Sequence, residues 1–279
     1  MNAVEIKGLC KRYNKFTLSG IDLTLPSGCI MGLVGENGAG KSTTIKLLLD
    51  IIQKDKGSIR IFGREMTADA KDIRNDIGVV LDSPCFPEVL KGEQINKIMK
   101  NIYSNWNEET FFSLLKKFSV DETKPFKTLS KGMKMKLSIA VALSHNAKLL
   151  ILDEPTNGLD PVVRDEIIEL LYEFTRNPMN SVLISSHIVT DLEKLCDYVA
   201  FLHNGRLLVC DEKDRLLEKY CVIHCSEEEL SKIKSDAVIG KKETPYGIEA
   251  IVERCAVKDG EISPVGLEDL FVAAVKGVK

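Results

Sequence analysis

No stretch of this chain of 279 residues is apolar for long enough to cross a bilayer. The longest uncharged apolar run, LSIAVALSHNA from Leu137 to Ala147, falls well short of the roughly 20 residues that a spanning helix needs. The start, MNAVEIKG, lacks the basic-then-apolar layout of a secretory signal. There is no basic excess either: the formal net charge is -3, so no general field for nucleic acid is expected. No Gly/Ser/Pro linker, internal repeat or low-complexity segment interrupts the chain. The cysteines have no zinc spacing. All eight (Cys10, Cys29, Cys85, Cys196, Cys210, Cys221, Cys225, Cys255) are scattered, and the reading is reduced thiols in a cytosol. In CVIHC, a strand would put Cys221 and Cys225 on one face and His224 on the other, which argues for small core residues rather than a metal site.

What is present is an ordinary globular balance, 44% hydrophobic and 28% charged, in a length that suits one large domain or one domain with a small addition. Short apolar runs recur, each followed by polar residues and a helical pattern: CIMGLVG before KSTTIKLLLDII, LLILDEP before VVRDEIIELLYEF, SVLISSH before VTDLEKLCD. This alternation predicts an α/β fold with a parallel sheet covered by helices, whose ligand lies at the carboxyl ends of the strands. Between about residues 88 and 146 three helical patterns follow one another, which predicts a helical insert. After the helix EKDRLLEKY come short alternating pieces and a closing helix, LEDLFVAAVKG. The expected division is a main domain over 1–220 and a small α/β module over 221–279.

Two constellations carry chemistry. GENGAGKS fits G-x-x-x-x-G-K-[ST], with an apolar strand before it and a helix after it. In such a P-loop the backbone of Gly35, Glu36, Asn37, Gly38, Ala39 and Gly40 turns its amides onto phosphate oxygens. Lys41 reaches the terminal phosphates, Ser42 ligates Mg2+ and Thr43 follows at the helix start. The Lys41 side chain is expected to face a solvated site. The second is LLILDEPTNGLDP, an apolar strand that ends in Asp153, where a P-loop site needs its metal-side acid, and then Glu154, placed to polarise an attacking water. A guanine site would show N-K-x-D, and neither NKFT at Asn14 nor NKIM at Asn96 supplies the aspartate.

Over residues 1 to about 215 the motifs, in this order, resemble the nucleotide-binding subunit of an ATP-binding cassette (ABC) transporter. KRY places Tyr13 where that family stacks an aromatic on adenine; GENGAGKST is similar to its Walker A, LSKGM (Leu129 to Met133) to its LSGGQ segment, and LLILDEP to its Walker B. GLD with Asp160 resembles the D-loop, and SSH with His187 the switch histidine. The resemblance implies a P-loop NTPase core that binds ATP and Mg2+ and hydrolyses ATP. It also implies two cassettes, as a homo- or heterodimer, with each ATP held between Walker A of one and Ser130, Lys131 and Gly132 of the other. A separate membrane-spanning permease would hold the chain on the cytoplasmic face of the membrane, and nucleic acid is not an expected partner. The finer likeness is to bacterial ABC-2 type exporters, including those for antimicrobial peptides.

Two positions depart from the family pattern. Lys131 stands where a glycine is usual, and its cation either strengthens contact with the phosphates or points to solvent. Asp82 in IGVVLDSPCFPEVLKGEQI stands where a glutamine is usual; an aspartate can ligate Mg2+ but adds negative charge near the γ-phosphate. The loop from Asp82 to Glu93 is the candidate contact with the permease. The alternative function is a soluble ABC-type ATPase acting in DNA maintenance or on ribosomes, although such proteins usually carry a long coiled-coil insert or two cassettes, and neither is visible.

Overall fold

The computed structural model describes residues 1–67, 69–82, 86–245, 247–257 and 262–277. The chain opens with two long antiparallel strands, β1 (Asn2–Arg12) and β2 (Thr17–Pro26), then enters the centre as β3 (Ile30–Val34), followed by α1 (Lys41–Leu48). β4 (Lys56–Ile61) and the short β5 (Arg64–Glu65) return to the first sheet, whose order is β2-β1-β4-β5. After α2 (Lys71–Asn75) and β6 (Ile77–Val80) comes the helical insert: α3 (Gly92–Ile102), α4 (Glu108–Lys117) and α5 (Lys131–Leu143). β7 (Leu149–Asp153), α6 (Pro161–Thr175), β8 (Ser181–Ser186), α7 (Val189–Leu195), β9 (Tyr198–His203) and β10 (Arg206–Glu212) complete the central sheet. Its order is β10-β9-β3-β8-β7-β6, parallel throughout except for β10.

Why these runs lack polar alternation is plain from the packing. Both faces of the central sheet are covered, as a parallel sheet requires. Ile30 and Val34 of β3, with Leu150 and Leu152 of β7, point into a core shared with α6 and α7. Met31 and Leu33, with Leu149 and Ile151, point the other way, into a core closed by α1 and the antiparallel sheet. The helices of the insert bury a separate cluster around Phe111, Leu115, Phe126 and Leu137.

Past α8 (Lys213–Lys219) a third sheet forms from β11 (Tyr220–Cys225), β12 (Val238–Thr244), β13 (Gly247–Glu253) and β14 (Ile262–Pro264), in the order β12-β13-β11-β14, with α9 (Glu227–Ser231) beside it and α10 (Leu267–Gly277) closing the chain. On β11, Cys221, Ile223 and Cys225 pack into a local cluster while His224 is exposed, as the strand reading of CVIHC requires. The opposite face, through Val222 and Ile251, joins the core of the central sheet. α10 enters the same core: Phe271 meets Phe201 of β9 edge to face, with ring centroids 5.3 Å apart, a contact that adds about 1 kcal/mol to its area burial. None of the described helices is long and apolar enough to cross a membrane.

Candidate functional site

The position of β8 assembles the site. It lies between β3 and β7, pairing Ser186 with Val34 and Ser185 with Asp153. The loop after β3, the acids at the end of β7 and the residues after β8 therefore emerge side by side at the carboxyl edge of the sheet.

The loop after Val34 exposes Glu36, Asn37 and Gly38 and buries Gly35, Ala39 and Gly40. The turn closes on itself through the Ala39 amide donating to the Glu36 carbonyl at 3.1 Å. Gly40, at the helix N-cap, has φ 113, and a Cβ on it would sit 2.9 Å from Phe16 Cζ, so both conformation and space require glycine. Ser42 and Thr43 are half-buried in the first turn of α1.

Lys41 departs from the expectation of a solvated side chain: it is only 5% exposed. Its Nζ donates to the Gly35 carbonyl at 2.6 Å and the Glu36 carbonyl at 3.3 Å, and it pairs with Glu154 Oε1 at 3.0 Å. The cause is the approach of Glu154 from a strand two positions away in the sheet, which no local signal in the sequence marks.

Glu154 is 8% exposed and has φ 54, a left-handed conformation that costs a non-glycine residue about 1–3 kcal/mol and persists where the surroundings hold it. What holds it is Ser185: the Glu154 amide donates to Ser185 Oγ at 3.0 Å and to the Ser185 carbonyl at 3.2 Å. The same hydroxyl donates to Asp153 Oδ1 at 2.6 Å. Ser185 thus orients both acids at once, a role that sequence reasoning missed although SSH was in view. The second carboxylate oxygen of Glu154 meets His187 Nδ1 at 2.7 Å. Lys41, Asp153, Glu154 and His187 form one connected cluster.

A second group stands apart. Ser130 caps α5, its Oγ accepting from the Met133 amide at 3.2 Å, and Asp160 caps α6 in the same way, from the Val163 amide at 3.1 Å. These two helix starts touch: a Cβ on Gly158 would lie 2.8 Å from Lys131 Nζ, and one on Gly132 would lie 3.3 Å from Val163 Cγ1. Ser130, Lys131 and Asp160 are exposed, and among the described residues no hydrogen bond or ion pair joins them to the Lys41 cluster. Tyr13 is 44% exposed in a tight turn, its amide donating to the Phe16 carbonyl at 2.7 Å, and the Lys11 ammonium lies 5.7 Å from its ring centre. That turn borders the P-loop through Phe16. Asp82 is exposed just past β6, and residues 83–85 of its loop lie outside the described residues.

A phosphate-cradling loop between a parallel strand and a helix, with acids at the end of a neighbouring strand, defines a P-loop NTPase. The comparisons narrow this. The ABC transporter family model matches residues 18–157. SrtF of Streptococcus pyogenes, a lantibiotic transport ATP-binding protein, is 37% identical over 214 residues, 76% of this chain and 91% of SrtF. YtrB of Bacillus subtilis strain 168, an ABC transporter ATP-binding protein, is 28% identical over 288 residues and the match takes in 98% of both chains. The solved structure of an ATP-binding subunit of an ABC transporter superposes with a TM-score of 0.69 at 29% identity, covering 77% of this chain and 91% of that one. The chain belongs to the ABC transporter family, as an ATP-binding subunit.

Proposed function

We propose that this chain binds and hydrolyses ATP with Mg2+ and powers an exporter, working as one of two facing cassettes on a separate membrane-spanning permease. The observation that carries the reading is the convergence on Glu154 of Lys41 on one carboxylate oxygen and His187 on the other. Glu154 is the water-polarising base, and His187 orients it by holding Oε2. Lys41 and the amides of residues 35–43 bind the phosphates, with Tyr13 against the adenine. Ser42 and Asp153 offer a hydroxyl and a carboxylate oxygen, the hard donors that suit Mg2+, and Asp82 is a third candidate. The ion, when bound, neutralises charge on the β- and γ-phosphates.

Across the dimer, Ser130, Lys131, Gly132 and Asp160 face the partner cassette's nucleotide, and the exposed helix start of α5 offers the dipole for it. The permease sits against the loop from Asp82 to Glu93, so the subunit is peripheral on the cytoplasmic face. Residues 221–279 act as an accessory module on the main domain. The likeness to SrtF, a lantibiotic transport ATP-binding protein, supports export of a peptide-like cargo. Steady-state phosphate release from Mg-ATP, slowed about 10²- to 10⁴-fold in Glu154→Gln, tests the enzyme. Co-purification from detergent with an integral membrane protein tests the transporter, whereas recovery with ribosomes or DNA instead would favour the soluble ATPase.

A further inference from the structure

The hairpin between β9 and β10 belongs to none of the motifs, yet it bonds the P-loop at one end and lies close to it at the other. Its loop is two residues, Asn204 and Gly205, with φ 46 and 75, both left-handed as a tight two-residue hairpin requires. The Gly205 amide donates to the Ala39 carbonyl at 2.9 Å, which fixes the last turn residue of the loop. At the first turn residue, His203 Nδ1 lies 3.4 Å from Glu36 Oε2. Asn204 Nδ2 donates to His203 Nε2 at 2.8 Å, so in the neutral ring the proton sits on Nδ1, aimed at that carboxylate. Nδ1 is buried and makes no aligned hydrogen bond, which leaves a donor waiting on a small rotation of the exposed Glu36 side chain. The other side of the hairpin holds β2: the Gly205 carbonyl accepts from the Ser19 amide at 2.8 Å, and a Cβ on Gly205 would fall 2.0 Å from the Thr17 carbonyl oxygen. β2 follows directly on the Tyr13–Phe16 turn.

From this geometry we infer that His203 is a positioning residue for nucleotide binding: the Gly205 amide holds Ala39, and the His203 Nδ1–H, 3.4 Å from Glu36 Oε2, takes up that carboxylate on a small rotation, so the two together keep the phosphate-binding turn in shape for nucleotide. The inference rests on the ATP-binding reading above. Its physical basis is preorganisation. A loop with three exposed residues otherwise loses conformational freedom on binding, and that loss is charged against affinity rather than against the chemical step.

The test uses the full-length protein, a calorimetric titration with a non-hydrolysable ATP analogue and Mg2+, and steady-state hydrolysis of Mg-ATP. His203→Ala is expected to raise the analogue's Kd and the KM for ATP about three- to tenfold, with kcat within about twofold of wild type. His203→Asn, whose amide can place a donor near the Nδ1 position, should restore most of the affinity. Glu36→Ala, at an exposed position that cannot unfold the chain, should weaken binding to the same degree, and the double variant should be no worse than either single one. Multiplying effects in the double variant would overturn the clamp, as would equal binding by wild type and His203→Ala, or a loss confined to kcat. A wild-type protein that fails to bind the analogue at all would overturn the ATP-binding reading and the clamp with it.

Discussion

Replacing Glu154 by glutamine should push two measurable quantities in opposite directions. The amide keeps the size of the side chain and a partner for His187 but removes the charge that lies 3.0 Å from Lys41 Nζ. At that distance and an effective dielectric near 20, the gross attraction is about 5 kcal/mol, and desolvation of two buried groups offsets much of it. A net of about 1.5–3 kcal/mol is the usual worth of a charged hydrogen bond. A lysine held by Glu154 gives less of its charge to a phosphate, so the pair competes with nucleotide. The variant is therefore expected to bind Mg-ATP roughly 10- to 150-fold more tightly, while hydrolysis falls by about 10²- to 10⁴-fold with the loss of the base. Isothermal titration and phosphate release read the two effects separately. Unchanged turnover would remove Glu154 from the chemistry. Unchanged or weaker binding would refute the idea that the pair competes with nucleotide. The slow variant should also accumulate as an ATP-bound dimer on gel filtration.

Lys41→Ala leaves the buried Glu154 carboxylate with His187 alone; nucleotide binding should be lost and stability should fall by about 3–5 kcal/mol, and a melting temperature equal to wild type would show that the pair contributes nothing to the fold. Gly205→Ala must accommodate a Cβ 2.0 Å from the Thr17 oxygen at φ 75, so thermal unfolding should show a loss of at least about 1–3 kcal/mol. Burial pushes the pKa of His145, stacked on Tyr103 with ring centroids 3.9 Å apart, below its ordinary value. The unfolded chain therefore takes up a proton that the folded chain refuses as pH drops through about 6.5, and the melting temperature of wild type should fall more steeply there than that of His145→Gln. Asp82→Asn should tighten ATP binding if Asp82 repels the γ-phosphate, by about 3 kcal/mol before metal screening at roughly 6 Å, or raise the Mg2+ requirement and lower the rate if it ligates the ion; a titration of ATP at several Mg2+ concentrations separates the two, and no change in either places Asp82 outside the site.

What could be read from the residues alone follows from how each element is buried. β3, β7 and β8 announce themselves because a strand covered on both faces is apolar at nearly every position, and their helices carry their own periodicity. The sheet of β1, β2, β4 and β5 carries no comparable signal. The pairing of β1 with β2 shifts register between Ile6 and Leu9 and again before Lys11, and each shift interrupts the alternation that would mark a strand. The Asn204-Gly205 hairpin carried an Asn-Gly signal that could have been found. Ser185 had no such marker, because a serine in an apolar strand looks like any other until the register sets it opposite Asp153. The closing helix was legible as a helix, but its place in the main core depends on Phe271 meeting Phe201, a contact between segments that carry no mutual signal.

The placement of β8 also has a consequence in time. The strand that leads into the P-loop has no partner among its sequence neighbours: Ile30 pairs with Val182, and the other flank of β3 waits for Tyr198 to Phe201. During synthesis the chain therefore emerges with β3 unpaired on both edges, and the antiparallel sheet and the helical insert can form long before the centre closes. Nucleotide affinity should appear abruptly once the segment through β9 has left the ribosome, rather than growing with chain length. Until then an apolar strand with two open edges is available for wrong pairing, and folding should be slowed by the long loop closure that joins it to its neighbours.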